Sequence, residues 1–425
     1  MKTTNSFIAV SLSLGLMVSS PFTQASGFQL AEYSATGLGR AYAGEAAIAD
    51  NASAQWRNPA LLTYLQGTQF SAGAVYVNPN VDIEGSVSGA IDTSSSDYAN
   101  DAVIPNIYFS HQFNEQFFVG AAFGTNYGMV TELGDDFSAS HFGDEASVET
   151  MEANINFGYK LSQQWRFGAG IRYIIGEGKF GATSAAQTEP TLATGTTLKY
   201  MEGDDTAFGW QVGATWQPSA NTRLGLAYKS AVDLTLSGYA EGVAFGLSST
   251  GRDNGSMDLT LPATAEIAIF HQLNERWAIH SSLNWTDWSS FDKLVADLDT
   301  LGSQTVKIEN WRDSYRLAVG TTYQLNKDLT LRSGIAYDTS AVSDKNRTLT
   351  IPEIDRTWFS LGATYTFTDQ LSIDAGATYV YTQDADITES RGYASDDSAE
   401  AIGGQFVGTV SGNIVIFGVQ ANYRF

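Results

Sequence analysis

Apolar and polar residues alternate with a period of two along most of the chain. In the closing stretch, Val415, Phe417, Val419, Ala421, Tyr423 and Phe425 hold the odd positions, while the even ones end Gly418, Gln420, Asn422, Arg424. A β-strand sends successive side chains to opposite faces, so this segment has one apolar, aromatic face and one small or polar face. Phe359, Leu361, Ala363, Tyr365 and Phe367 repeat the pattern, with Ser360, Gly362, Thr364 and Thr366 between them. A soluble sandwich could bury such a face. Its breadth and its recurrence in almost every segment favour lipid contact around a wet or plugged lumen. After the first 25 residues there is no run of 18 or more apolar residues, which excludes a membrane-spanning helix.

Short polar turns punctuate the strands at six places: residues 112–116, 161–164, 217–221, 272–275, 324–328 and 367–370. Seven longer segments, most rich in Gly, Ser, Asp and Thr, lie between and around them: residues 80–100, 135–147, 181–196, 242–256, 291–304, 341–350 and 383–404. Outer-membrane barrels join strands by short periplasmic turns and long outer loops. Six turns and seven loops predict fourteen strands, an even number that closes with no edge facing lipid. The expected fold class is all-β, a 14-stranded antiparallel transmembrane β-barrel over residues 66–425.

The composition narrows the class further. Of 425 residues, 43% are hydrophobic, 12% aromatic and only 16% charged, with 41 glycines against 8 prolines. That mixture excludes disorder and argues against a coiled coil. The 23 basic and 46 acidic residues leave a net charge of -23, so nucleic acid is not an expected partner. Without cysteine there is no disulfide, thiolate metal site or cysteine nucleophile. His111, His141, His271 and His280 form no metal-ligating pair, and no nucleophile elbow occurs, so no enzyme, cofactor or metal is expected. Asp135-Asp136, Asp144-Glu145 and Asp396-Asp397 could offer oxygens to calcium, but they read as solvated loop charge.

Residues 1–25 read as a signal peptide. Lys2 opens it, an apolar run extends from Phe7 to Met17, and Pro21 and Ala25 precede a cut before Ser26. The competing reading is an N-terminal anchor, for which the run is too short. Residues 26–65 lack alternation and are rich in small residues from Ser34 to Glu45. They are expected to form a plug inside the lumen, the rival being a disordered leader. A plugged barrel must move its cargo by another route than an open pore does.

The residues also carry a likeness. Ser26-Gly27-Phe28-Gln29-Leu30, Gly37-Leu38-Gly39-Arg40-Ala41-Tyr42, Ala47-Ile48-Ala49-Asp50 and Arg57-Asn58-Pro59-Ala60-Leu61 resemble the N-terminal hatch of the FadL family of long-chain fatty-acid outer-membrane transporters. Asn126-Tyr127-Gly128, Arg312-Asp313-Ser314-Tyr315-Arg316 and Ile351-Pro352-Glu353-Ile354-Asp355-Arg356 extend the resemblance over the mature chain.

The resemblance implies a multi-pass protein of the Gram-negative outer membrane. It would be a monomer in outer-membrane lipid that takes up long-chain fatty acids and releases them sideways through a gap at a kinked third strand. Small aromatic hydrocarbons are the alternative cargo, and a general porin the second alternative. It further implies that Phe28 shifts when ligand arrives, that Arg312 grips the carboxylate, and that Asn58, Pro59 and Ala60 serve gating. The family's second pocket arginine is missing, and Lys179 is the candidate substitute. For the kink, Asn126, Tyr127 and Gly128 are the candidates, since glycine inside a strand marks a bulge. A tolerated internal glycine is the competing reading.

Overall fold

The computed structural model describes residues 27–134, 136–185, 192–248, 251–390 and 404–425. The expected signal peptide, Ser26, Asp135, Asp396 and Asp397 lie outside them. Every strand belongs to one antiparallel sheet, and that sheet closes on itself. Thr68–Val87 pairs with Phe406–Arg424 in an unbroken register from Gln69↔Arg424 to Val87↔Phe406. Closure removes both edges, as a membrane wall requires.

Fourteen wall strands result. Seven of them are interrupted: Ile91–Ser95 with Ala102–Gln112, Phe117–Gly124 with Gly128–Glu132, Thr222–Lys229 with Val232–Glu241, Arg252–Leu261 with Thr264–Gln272, Trp277–Thr286 with Lys293–Leu298, Gly302–Ile308 with Ser314–Gln324, and Leu371–Thr382 with Ala385–Glu389. All six short turns fall between consecutive strands as expected. The long segments differ more. Much of residues 291–304 is strand, because Lys293–Leu298 pairs with Gly302–Ile308. The first strand likewise runs on to Val87 and pairs with Ile91–Ser95. These outer ladders stand where their outward side chains meet water, so polar residues on that face made them read as loop.

The alternation sorts the faces. Phe417, Val419 and Leu361 are 53%, 60% and 68% exposed, whereas Gln420 and Ser360 are buried inside. Aromatic rings gather near the short turns, with Trp165 stacked on Trp216 at 5.7 Å and Trp277 beside Tyr323 at 4.5 Å. Rings of this kind sit at the lipid–water boundary, where an amphipathic ring is favoured.

Residues 33–63 are almost wholly buried and touch inward positions all round the wall. Three short helical turns, Ala35–Leu38, Ala52–Trp56 and Pro59–Tyr64, carry them, each begun by a capping side chain from Ser34, Asn51 or Asn58. Buried ion pairs, Arg40 with Glu45 at 2.6 Å and Arg57 with Glu266 at 3.2 Å, satisfy the segment's charges. Wall glycines let the backbones approach. A side chain at Gly168 would overlap the Pro59–Ala60 peptide, and one at Gly213 would overlap the Asn58 amide. Gly168→Val should therefore destabilise the folded barrel by about 1–3 kcal/mol through overpacking. Chemical unfolding in micelles checks this, with Gly170→Val unsuitable as a control because Asn156 crowds it.

Candidate functional site

The inward face changes character with height. On Trp165–Thr183 it reads Arg166, Gly168, Gly170, Arg172, then Ile174, Gly176, Gly178, Phe180, Ala182. The seventh wall strand does the same, from Ala227 and Lys229 to Val232, Leu234 and Leu236. The lower lumen is thus polar and filled by residues 33–63, while the upper lumen is a packed apolar compartment. That compartment also receives Leu259, Leu261, Trp288, Phe291 and Trp311. A water-filled pore gains nothing from such a lining, whereas an acyl chain does.

Phe28 occupies the floor of that compartment. Its ring is 3% exposed and lies 4.7 Å from Trp288, 5.8 Å from Phe291, 6.0 Å from Trp311 and 6.2 Å from Tyr127. Edge-on contacts of this kind are favourable beyond the area they bury.

Tyr127 belongs to the break in the third wall strand. Gly124 pairs with Glu152 and Gly128 with Glu149, and the intervening Thr125, Asn126 and Tyr127 leave the ladder. On the other side, the second wall strand, Ala102–Gln112, pairs with the third only from Ile107 onward. Its Ala102–Asn106 part has ladder partners in the first strand alone among the described residues. Pro105 lies there and brings no N–H to that free edge, which is where a strand tolerates proline.

Inside, residues 28–30 supply the missing partners. Leu30 N–H donates to the Asn126 carbonyl at 2.7 Å, and Gly128 N–H to that of Phe28 at 3.0 Å, around a Gln29↔Tyr127 bridge. Gly128 lets Leu30 pack close, since a Cβ would stand 3.1 Å from Leu30 Cδ1 and push it back. Asn126 turns inward. It donates to Glu152 and accepts from Trp56 Nε1 at 3.1 Å and Lys229 Nζ at 3.2 Å. Glu152 in turn is gripped by Arg172 through two bonds of 2.9 and 2.8 Å. The Tyr127 hydroxyl donates to the Pro262 carbonyl at 2.7 Å.

A cavity of about 420 Å³ opens at this break, within the roughly 300–1,000 Å³ usual for small-molecule sites. Its outer end carries Val103, Pro105 and Met151, all exposed on the lipid side, with Asp101 and Glu149 at its rim and Ile104 turned inward. Its lumenal end carries Arg57, Arg316 and Arg356, with Glu32, Asp338 and Glu353. Burial pushes the loop carboxyl of Glu353 up to about 7, although Arg356 at 2.8 Å pulls it back.

The residues singled out by sequence divide accordingly. Phe28, Tyr127 and Gly128 line the cavity, and Asn126 anchors the break. Asn58 is fully buried and docks on the wall, accepting from Ala60 N–H at 2.9 Å and donating to the Ala46 carbonyl at 2.7 Å, with Pro59 opening the short helix. Arg312 lies next to Trp311 and donates to the Val342 carbonyl at 3.3 Å; it does not line the cavity. Lys179 requires a correction. It shares outward phase with Tyr173 and Ile175 and pairs with Glu177 at 2.8 Å outside the wall. It is therefore not brought to Arg312 or to the lumen. Arg316 and Arg356 carry no signal of their own in the sequence, because the rest of the cavity lining, residues 27–32, 99–105 and 123–131, lies far from them along the chain.

This closed fourteen-strand barrel, with residues 33–63 packed inside it and a side cavity, has the fold of an outer-membrane transport protein. The match to the family described as outer membrane protein transport protein (OMPP1/FadL/TodX) covers residues 16–425, and the chain belongs to that family. It is 34% identical over 451 residues to the long-chain fatty acid transport protein of Escherichia coli O6:H1, covering 99% of both chains. Its fold is similar to a Pseudomonas aeruginosa FadL homologue, with a TM-score of 0.84 at 23% identity over 94% of this chain and 100% of that one. The Pseudomonas putida toluene transporter TodX aligns with a TM-score of 0.65 at 18% identity, over 88% and 94%.

The Glu152–Arg172 pair supports the break from below. Arg172→Met leaves a buried carboxylate short of its partner and should cost about 3–5 kcal/mol, most of it recovered in the Arg172→Met/Glu152→Met double variant. Equilibrium unfolding of the three proteins in the same detergent checks both numbers.

Proposed function

We propose that this chain takes up long-chain fatty acids from outside the cell and delivers them sideways, through the break in the third wall strand, into the outer membrane. The observation that carries the reading is the cavity that joins the lumen to the lipid face at the break, where residues 28–30 provide the inner backbone partners. An acyl chain loses about 0.8 kcal/mol of favourable burial for each CH₂ returned to water, so a dry path into lipid avoids a large barrier. The sealed lower lumen speaks against a general porin.

In this reading ligand enters the apolar upper compartment and displaces Phe28 from its aromatic surroundings. Residues 28–30 then withdraw from Asn126 and Gly128, and the break is free to widen. Arg312, at the mouth beside Trp311, meets the arriving carboxylate. Asn58, Pro59 and Ala60 hold the lower part of the plug still, so that only the leading residues move. Lys179 has no part in it. The toluene transporter named above shares the fold, but a charged cavity end, where three arginines and three acids meet and Arg316 keeps a donor unused, suits a carboxylate better than a neutral hydrocarbon.

Crowding the break tests the exit. Gly128→Leu should cut oleate uptake about tenfold, equivalent to roughly 1.4 kcal/mol on the exit barrier, while binding to the purified protein stays near that of the unaltered chain. Uptake of labelled oleate by cells lacking their own transporter measures the first, and competition binding in detergent the second. Undiminished uptake in a correctly inserted variant would rule out this exit.

A further inference from the structure

The cavity at the break is polarised, and this polarity has a partner-specific meaning that rests on the reading above. We propose that Arg316, supported by Arg356 and Arg57, is a second carboxylate station inside the lumen, and that a fatty acid held there leaves the protein tail first.

Arg316 projects inward from the tenth wall strand, Gly302–Ile308 with Ser314–Gln324. Its Nε stands 2.7 Å from Asp338, and its Nη1 donates to the Ala41 carbonyl at 3.1 Å. The face of the guanidinium lies over Trp358, 4.7 Å from the ring centroid. These contacts fix the plane of the group. Nη2 is buried and has no hydrogen-bond partner among the described residues. A guanidinium offers five N–H donors in a rigid fork, and a buried donor left unused is destabilising. A carboxylate oxygen entering from the cavity would satisfy it.

The surroundings favour that occupant. Arg356 and Arg57 line the same end of the cavity. Arg356 and Arg57 are themselves paired, with Glu353 at 2.8 Å and Glu266 at 3.2 Å, so the unused donor is that of Arg316, and the acids opposite are engaged as well. Asp338 accepts from Trp358 Nε1 at 2.7 Å and pairs with Arg316, Glu32 accepts the Ala31 N–H at 2.8 Å, and Glu353 is drawn toward its neutral form by burial. Arg312 is not part of this group, so a carboxylate that first meets Arg312 at the mouth has a separate place to rest deeper in.

Orientation follows from the two ends of the cavity. The arginines stand on the lumenal side, and Val103, Pro105 and Met151 stand toward lipid, with the exposed acids Asp101 and Glu149 beside them, which repel a carboxylate. An amphiphile that keeps its charge on Arg316 must point its chain through the break. The tail then reaches hydrocarbon before the headgroup gives up its cationic partner, and the charge is not dragged through the outer end ahead of the chain.

Two oleate-length photoprobes test this with the full-length protein in detergent, one with a diazirine at the ω end and one with it near the carboxyl. The ω probe should label the segments around Val103 and Met151, and the carboxyl-end probe those around Arg316 and Trp358. Arg316→Gln should weaken oleate binding about tenfold or more and oleyl alcohol binding less than about twofold, as expected for loss of one charged hydrogen bond. Because Arg316 also touches the plug through Ala41, Arg356→Gln serves as a second variant and should shift binding in the same charge-selective sense. The reversed labelling pattern, or equal losses for acid and alcohol in both variants, overturns the proposal while leaving lateral uptake intact. Failure of the unaltered protein to bind or label with either probe would instead overturn the transport reading itself.

Discussion

The constraint on which the structure depends is that no backbone N–H or C=O can face hydrocarbon without a partner. Nineteen register pairs between the first and last strands, from Gln69↔Arg424 to Val87↔Phe406, meet that demand by closing the wall. The third strand is where the demand is met differently. Thr125, Asn126 and Tyr127 leave the ladder, and backbone partners they lose are replaced by residues 28–30 and by the Thr150 hydroxyl, which accepts from Tyr127 N–H at 3.3 Å and donates to the Tyr127 carbonyl at 2.7 Å. In the proposed route the separate, short segment of residues 28–30 withdraws, at the cost of its backbone bonds and of the Phe28 ring contacts. The break also gives the cavity its lipid-side end. Closure of the wall and the inner pairing at the break answer one requirement, and the proposed exit follows from it.

A second consequence is the division of the lumen by height. Where residues 33–63 pack, the inward positions are Asn154, Asn156, Gln211, Glu266 and Asp374, which pair with plug groups or with one another. Above them the same phase of the same strands turns apolar at Ile174, Leu234 and Leu259. One pattern therefore both immobilises the plug and builds a solvent for an acyl chain. The charged end of the side cavity lies near the junction, where Arg316 holds Ala41 of the plug.

Much of this was legible in the chain. Period-two alternation and six turns sufficed for the strand number, because every transmembrane strand must show lipid an apolar face and must turn at the periplasmic side. The glycine at 128 and the loss of phase at Thr125 pointed to the segment where the ladder breaks, since glycine inside a strand marks a bulge. The outer hairpin at residues 293–308 was hidden because its outward face is wet and polar like a loop. Lys179 was misplaced although its phase was readable: with Tyr173 and Ile175 outward, position 179 is outward too. The arginines at 316 and 356 escaped for a deeper reason. Phase tells which face a residue occupies but not which strands stand opposite across a closed lumen, and their common cavity exists only after closure. Pro105 is a signal that could have been used, since a proline inside an alternating strand points to an edge without a partner.

The central claim is that cargo leaves through the wall and not through the floor. Proteoliposomes carrying a bilayer-embedded quencher, with a fatty-acid-binding protein trapped in the inner aqueous space, separate the two routes when a fluorescent fatty acid is added outside. The account predicts that protein-dependent quenching in the bilayer rises first and at a rate unaffected by the trapped acceptor. Loading of the inner acceptor ahead of, or without, the bilayer signal would contradict it.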